Sequence, residues 1–331
     1  MSASSALPQQ RFSSLPRSNR LAEFAWFVVS YNVLVIVWGS LVRATASGAG
    51  CGNHWPLCNG EVIPVSPGIH TIIEFGHRMM VGASTLMVLL LLVWIFRSTV
   101  KGQAARAFAV ASTVLLFNEG FLGALLVKLN YVNANPSTGH VVLLAIHLGN
   151  TLLLMGALTL TAHFLSTRQS WSDLPLSRSL VGVIEGLATT IFVGITGSIA
   201  ALGDTLFPAP SLSASFAQDL AATSPILLRL RLVHPVVALI AALFAVWLVA
   251  HSRRGGPEAT TAHCVRLGGW VLGLLGLQFA LGVADVLLLA PAWMQLLHLL
   301  GADLFWVALV LLGAESVWPV ETIVAPAPES V

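Results

Sequence analysis

Long apolar runs alternate with short polar connections along this chain, and the runs are continuous rather than residue-by-residue alternations. Eight of them extend from Leu21 to Arg43, His70 to Phe96, Ala104 to Lys128, Gly139 to Leu165, Leu180 to Leu206, Ile226 to Ala250, Cys264 to Ala290 and Trp293 to Ala314. A helix rises about 1.5 Å per residue, so about 20 apolar residues cross the roughly 30 Å of a bilayer's hydrocarbon. Each run meets that length. Transmembrane strands would alternate over roughly 10 residues, so the pattern predicts an all-α polytopic membrane protein with eight transmembrane helices. Pro291 divides the last two runs, because it lacks the backbone donor that one long helix would need there.

Composition agrees. Of 331 residues, 16 are Lys or Arg and 14 are Asp or Glu, a charged share of 9% beside 56% hydrophobic. Soluble domains carry about 25% charge, and a disordered chain would be far less apolar. The net charge of +2 gives no reason to expect nucleic acid as a partner.

The placement of the basic residues is more informative. Arg11, Arg17, Arg20, Arg97, Lys101, Arg106, Arg168, Arg178, Arg253, Arg254 and Arg266 all fall on one side of an eight-span topology. By the positive-inside rule that side is cytoplasmic, and so are both termini. Residues 1–20 then form a polar cytoplasmic tail, residues 166–179 a cytoplasmic linker and residues 316–331 a second tail. Pro8 and Pro16 interrupt the first tail, which is no secretory signal. A bacterial plasma membrane is expected, with a mitochondrial inner membrane as the alternative because the tail lacks acids.

Residues 21–165 and 180–315 each hold four spans, and the second and fourth span of each set carry a histidine near the start: His77, His147, His234 and His298. Gly39-Ser40-Leu41 matches Gly197-Ser198-Ile199, and the segment ending at His77 matches the one ending at His234. The expected architecture is two tandem pseudo-repeated four-helix bundles. All four histidines enter from the outer side and sit at similar depth.

One histidine on a membrane helix is ordinarily a packing or hydrogen-bonding residue. Four at one depth, paired by a repeat, suit axial ligation of haem iron between facing helices. Zinc or copper fits less well, since neither pair has the further ligands of a closed site. His140 rivals His147, being seven residues earlier on nearly the same helix face. The remaining histidines, His54, His70, His163, His251 and His263, lie toward span ends and are expected to be mostly solvated, as is His140 if it is no ligand.

Five basic residues stand on the side that topology disfavours: Arg43, Arg78, Lys128, Arg229 and Arg231. Lys128 and Arg229 suit snorkelling to headgroups. Arg43, Arg78 and Arg231 are candidates for holding haem propionates. Glu74 shares a helix face with His77 and is the candidate catalytic residue, because a carboxylate at that depth is costly without a purpose; an ion pair with Arg78 is the plainer account. The second half has Arg231 where the first has Glu74, so one site is expected to react and the other only to bind haem or relay electrons. Glu119, Glu185, Asp285 and Asp303 are further acids in spans without an assigned role. Cys51 and Cys58, in a loop facing an oxidising compartment, are read as a disulfide, structural or redox-active. Cys264 is read as a free thiol.

Together these residues resemble the haem A synthase family, which converts haem O to haem A for terminal oxidases. The resemblance is carried by Gly39-Ser40-Leu41-Val42-Arg43, Ser47-Gly48-Ala49-Gly50-Cys51, Trp55-Pro56-Leu57-Cys58-Asn59-Gly60 and Glu74-Phe75-Gly76-His77-Arg78. It continues in His147-Leu148-Gly149-Asn150-Thr151, His234-Pro235 and His298. It implies oxidation of a ring methyl of haem O to a formyl group by successive hydroxylations. It also implies that His77 and His147 flank the substrate haem in the first bundle, with Glu74 beside it, and that His234 and His298 hold a resident haem b in the second. Expected partners are haem O synthase, the terminal oxidase and membrane lipid, with an oligomer open. The second half departs from the pattern, having His234-Pro235 in place of His-Arg, and Pro235 is expected to kink its span. The competing readings are a di-haem b cytochrome moving electrons from quinol and a secondary transporter. None of the spans reads as the short, interrupted pair of a transporter.

Overall fold

The computed structural model describes residues 19–132, 135–167, 178–252 and 262–318. Within them the regular structure is helical, apart from one isolated bridge between Cys58 and Glu61. The helices are α1 (Arg20–Ala44), α2 (Ile69–Ser98), α3 (Ala104–Lys128), α4 (Thr138–Thr167), α5 (Arg178–Leu206), α6 (Leu212–Leu220), α7 (Ile226–Leu230), α8 (Val233–Ser252), α9 (Ala262–Leu287) and α10 (Ala292–Val317). Eight membrane-spanning segments result, α7 and α8 together making the sixth. The two tails and the linker expected at residues 1–20, 166–179 and 316–331 lie outside the described residues except where helix ends run into them.

Local chemistry sets the helix ends. Asn19 caps α1 by accepting from the Ala22 N–H at 3.3 Å, and its Nδ2 donates to the Leu165 carbonyl at 2.8 Å, which ties the start of α1 to the end of α4. Between α9 and α10 the chain reverses through Leu289 and Ala290, both with left-handed φ (62° and 52°), before Pro291 caps α10.

Two features differ from the sequence reading. The sixth span, expected to kink at Pro235, is broken outright at Arg231 and Leu232. Pro235 explains this: it has no N–H to offer the carbonyl four residues earlier, and it is tolerated only in the first turn of a helix, where α8 places it. The break has no counterpart in the first half, whose matching span α2 is continuous over 30 residues. The connection between α5 and α7 also contains the short helix α6, capped by Ser211, whose side chain accepts from the Ala214 N–H.

Helices α1 to α4 pack in a ring, each against its chain neighbours and α1 against α4. Helices α5, α8, α9 and α10 form a second ring. The rings join through α4 with α5, α4 with α10 and α1 with α10. Trp306 of α10 fixes this junction by donating its Nε1–H to the Leu152 carbonyl of α4 at 2.8 Å, above Gly156, where a side chain would press on the indole. Accordingly α4 and α10 are the most buried spans, whereas α9 presents Trp270, Val283 and Val286 outward, as a lipid-facing helix does.

Candidate functional site

The four histidines lie six to nine residues from the same end of their spans. At about 1.5 Å per residue this is a layer roughly 9 to 14 Å deep. Each ring faces a glycine on the preceding long helix. A Cβ on Gly39 of α1 would fall 3.0 Å from the His77 ring on α2, and one on Gly197 of α5 would fall 3.0 Å from the His234 ring on α8. His147 on α4 faces Gly123 of α3 at 3.9 Å, and His298 on α10 faces Gly282 of α9 at 3.4 Å. At the two closest approaches a Cβ would fit only if the ring gave way by a few tenths of an ångström, so glycine lets these rings seat deeply. Sequence reading used Gly39 and Gly197 only as markers of the repeat and missed this contact.

In the second half the His234 and His298 rings face each other, with centroids 6.4 Å apart and planes at 88°. A metal–imidazole bond is about 2.0–2.1 Å, so two rings bound to one metal atom have centroids roughly 6 Å apart. The separation of this pair is of that size. His234 Nδ1 lies 3.3 Å from Thr196 Oγ1, while Nδ1 of His298 has no hydrogen-bond partner. In the first half Nδ1 is buried and unpaired on both His77 and His147. That is unusual for buried polar atoms, nearly all of which are satisfied.

His140 is placed differently. It is buried, its Nδ1 is 2.7 Å from the Asn135 carbonyl and its ring stacks on Tyr131. It is thus tied to the loop before α4, and His147 is the residue that faces Gly123. His163 is buried as well, against Phe164, so neither is solvated as expected. The cause is the central position of α4, which leaves little of that helix exposed.

Around the first pair, the connection from α1 to α2 folds down onto α2. Cys51 and Cys58 form a disulfide, with Cα atoms 4.3 Å apart. Glu74 is buried and uses both oxygens: Oε1 pairs with Arg78 Nη2 at 2.5 Å, and Oε2 accepts the Cys51 N–H at 2.8 Å. Arg78 Nη1 in turn donates to the carbonyls of His54 at 2.7 Å and Leu57 at 2.6 Å. His70 Nδ1 sits 2.9 Å from Ser47 Oγ, and Thr71 Oγ1 donates to the Gly50 carbonyl at 2.8 Å. Glu74 and Arg78 therefore hold the disulfide loop to the helix that carries His77.

The other two candidate arginines are also engaged. Arg43 Nη1 donates to the Ala201 carbonyl at 2.9 Å and to Thr205 Oγ1 at 3.0 Å, both on α5, and Nη2 donates to Gln295 Oε1 of α10 at 2.8 Å. Arg231, at the break in the sixth span, donates from Nη1 to Asp204 Oδ1 at 2.6 Å, and its Nη2 lies 2.8 Å from Asp219 Oδ1 on α6. Asp219 was not singled out from sequence. Burial pushes its carboxyl above the usual carboxylate range, with Arg231 acting against that shift. Glu119 sits beside His147, whereas Asp303 is buried with Oδ2 unpaired.

Among the described residues, eight membrane-spanning segments, four of which carry a half-buried histidine at a similar distance from the same end, define a polytopic α-helical membrane protein with a layer of imidazoles near that end. The family described as COX15-CtaA, cytochrome oxidase assembly protein, matches residues 22–310, and the chain belongs to that family. A Thermus thermophilus protein named protoheme IX farnesyltransferase is 41% identical over 307 residues, which are 91% of this chain and 49% of that protein. A heme A synthase of Alkalihalophilus pseudofirmus is 37% identical over 128 residues, 39% of this chain and 40% of that protein. A heme A synthase of an Exiguobacterium species is 31% identical over 180 residues, 54% and 57% respectively. The chain spans about half the length of the curated relatives it matches.

Proposed function

We propose that this protein is a haem A synthase, which oxidises the ring methyl of haem O to a formyl group by successive hydroxylations. The observation that carries the reading is the layer of four histidines, each ring set against a helix glycine, with the His234 and His298 rings 6.4 Å apart. Membership of the COX15-CtaA family and the heme A synthases among the relatives support it.

In this reading the first bundle, residues 21–165, receives the substrate haem between His77 and His147. The second, residues 180–315, holds a resident haem b between His234 and His298. When bound, that haem supplies one-electron transfer. The chain's own residues do the rest. Gly39 and Gly197 seat His77 and His234 deep enough to face their partners. Glu74 and Arg78 fix the disulfide loop over the first site, excluding water from it, and Glu74 is the acid nearest His77 along α2 and so the group to handle protons there. Arg43, Arg78 and Arg231 are the candidates for holding haem propionates, and Arg78 and Arg231 would each exchange a present protein partner for a carboxylate.

The orientation is with both termini in the cytoplasm of a bacterial cell, which places the four histidines in the outer leaflet. Haem O synthase and the terminal oxidase are the partners before and after this step. The likeness to a protein named for haem farnesylation, of which this chain matches about half, supports a close link with the enzyme that makes haem O.

The decisive experiment is co-expression with a source of haem O, followed by extraction and chromatography of the haems. Hydroxylated and formyl-bearing haem is expected. Haem b alone, bound normally, would make the protein a di-haem electron carrier, and no haem at all would favour a transporter.

A further inference from the structure

A second difference between the halves lies beside the other two histidines. Four residues before Gly123, which faces His147, stands Glu119; four residues before Gly282, which faces His298, stands Gln278. That spacing puts each side chain on the helix face of its glycine, toward the histidine helix.

The two environments differ throughout. Glu119 Oε2 accepts from Asn150 Nδ2 at 2.6 Å, and Oε1 accepts from Thr151 Oγ1 and lies 3.3 Å from His147 Nδ1, at an angle that makes no hydrogen bond. Asn150 is itself fixed by Leu115 and Asn118. At the corresponding positions of α10, three and four residues past His298, stand Gly301 and Ala302. Gln278 packs against Gly301, and neither Gln278 Nε2 nor His298 Nδ1 has a partner. His147 thus has a carboxylate beside its Nδ1, held by two other donors, whereas the matching position on the helix that faces His298 carries a neutral amide.

We propose that Glu119 is a positioning residue that orients His147 and strengthens it as an electron donor, so that iron held by His147 has a lower reduction potential than iron held by His298. The inference rests on the haem reading above. A ligating histidine that gives its free N–H to a carboxylate has its ring orientation and tautomer fixed and its basicity raised. A more basic axial ligand favours the oxidised metal. A small turn of the ring brings Nδ1 into line with Oε1, already within 3.3 Å. Asn150 and Thr151 keep the carboxylate in place for it.

The test is a potentiometric titration of haem absorbance in the full-length protein loaded with haem O and haem b, using His77→Ala to assign the first-half transition. The wild type should show two midpoints, the first-half one lower. Glu119→Gln should raise the first-half midpoint by at least tenfold in the reduced-to-oxidised ratio, about 59 mV for one electron, and leave the second unchanged. Gln278→Glu should lower the second-half midpoint. If Glu119→Gln binds both haems with unchanged midpoints, the inference is wrong and the haem reading stands. If Glu119→Gln does not load its first site, the retained second-half transition reports folding, and Gln278→Glu decides: a midpoint that does not fall overturns the inference. Wild-type protein that binds no haem in either half overturns the haem reading itself.

Discussion

The two histidine pairs sit on the same framework and are furnished differently. In both halves a Cβ placed on a glycine of the leading helix would come within 3.0 Å of the first histidine, Gly39 with His77 and Gly197 with His234. Three residues before that histidine, however, stands Glu74 in one half and Arg231 in the other. Each anchors the neighbouring connection with opposite charge. Glu74 takes the Cys51 amide and Arg78, and Arg231 takes Asp204 and Asp219. The repeated residues thus set where an imidazole can sit, while the unrepeated polar residues set what surrounds it. In the proposed reading, two similar bundles would hold two haems and give them different work.

The comparison can be broken most directly at the ligands. His234→Ala should abolish the haem b signal in a reduced-minus-oxidised spectrum, and His77→Ala should leave it standing; equal loss from both would end the division of labour. Next comes Glu74→Ala, which should retain haem b but slow haem O conversion by about 100-fold or more, the scale of general acid–base catalysis. Chromatography of extracted haems measures it, and unchanged turnover would reduce Glu74 to an anchor of the loop. The smallest effect separates the two classes of glycine. Gly39→Ala puts a methyl 3.0 Å from the His77 ring and should destabilise the loaded first site by about 1–3 kcal/mol, as overpacking does. Gly123→Ala, with its nearest atom at 3.9 Å, should be close to neutral in the same thermal melt followed by haem absorbance.

Most of the architecture is legible in the chain because long apolar runs leave few choices. The third span, Ala104–Lys128, has the same limits in sequence and structure. Helix α6 was not legible, since Leu212–Leu220 is short and mixes Ser, Gln and Asp with its apolar residues. The break in the sixth span escaped hydropathy, which registers side chains and not the missing N–H of Pro235, although that proline was in view. The four histidines and the disulfide pair stand out by type and spacing. Their surroundings do not. Arg43 meets Gln295 from 252 residues away, and no local pattern announces such a partner. Glu119 was visible as a buried acid, yet its place beside His147 follows only from the packing of α3 on α4.

Arg43 also bears on how a large flat molecule reaches the first site. Its guanidinium clasps α1 to α5 and α10 near the end of the bundle that carries the histidines, using both terminal nitrogens. Prising the bundles apart there would break several charge-assisted bonds, each worth about 1.5–3 kcal/mol. Among the described residues, α2 and α3 pack mainly within their own ring and expose Met79, Phe117 and Phe121. In the proposed reading, a haem dissolved in the bilayer would therefore enter and leave through the flank of the first bundle, with the seam between the bundles closed.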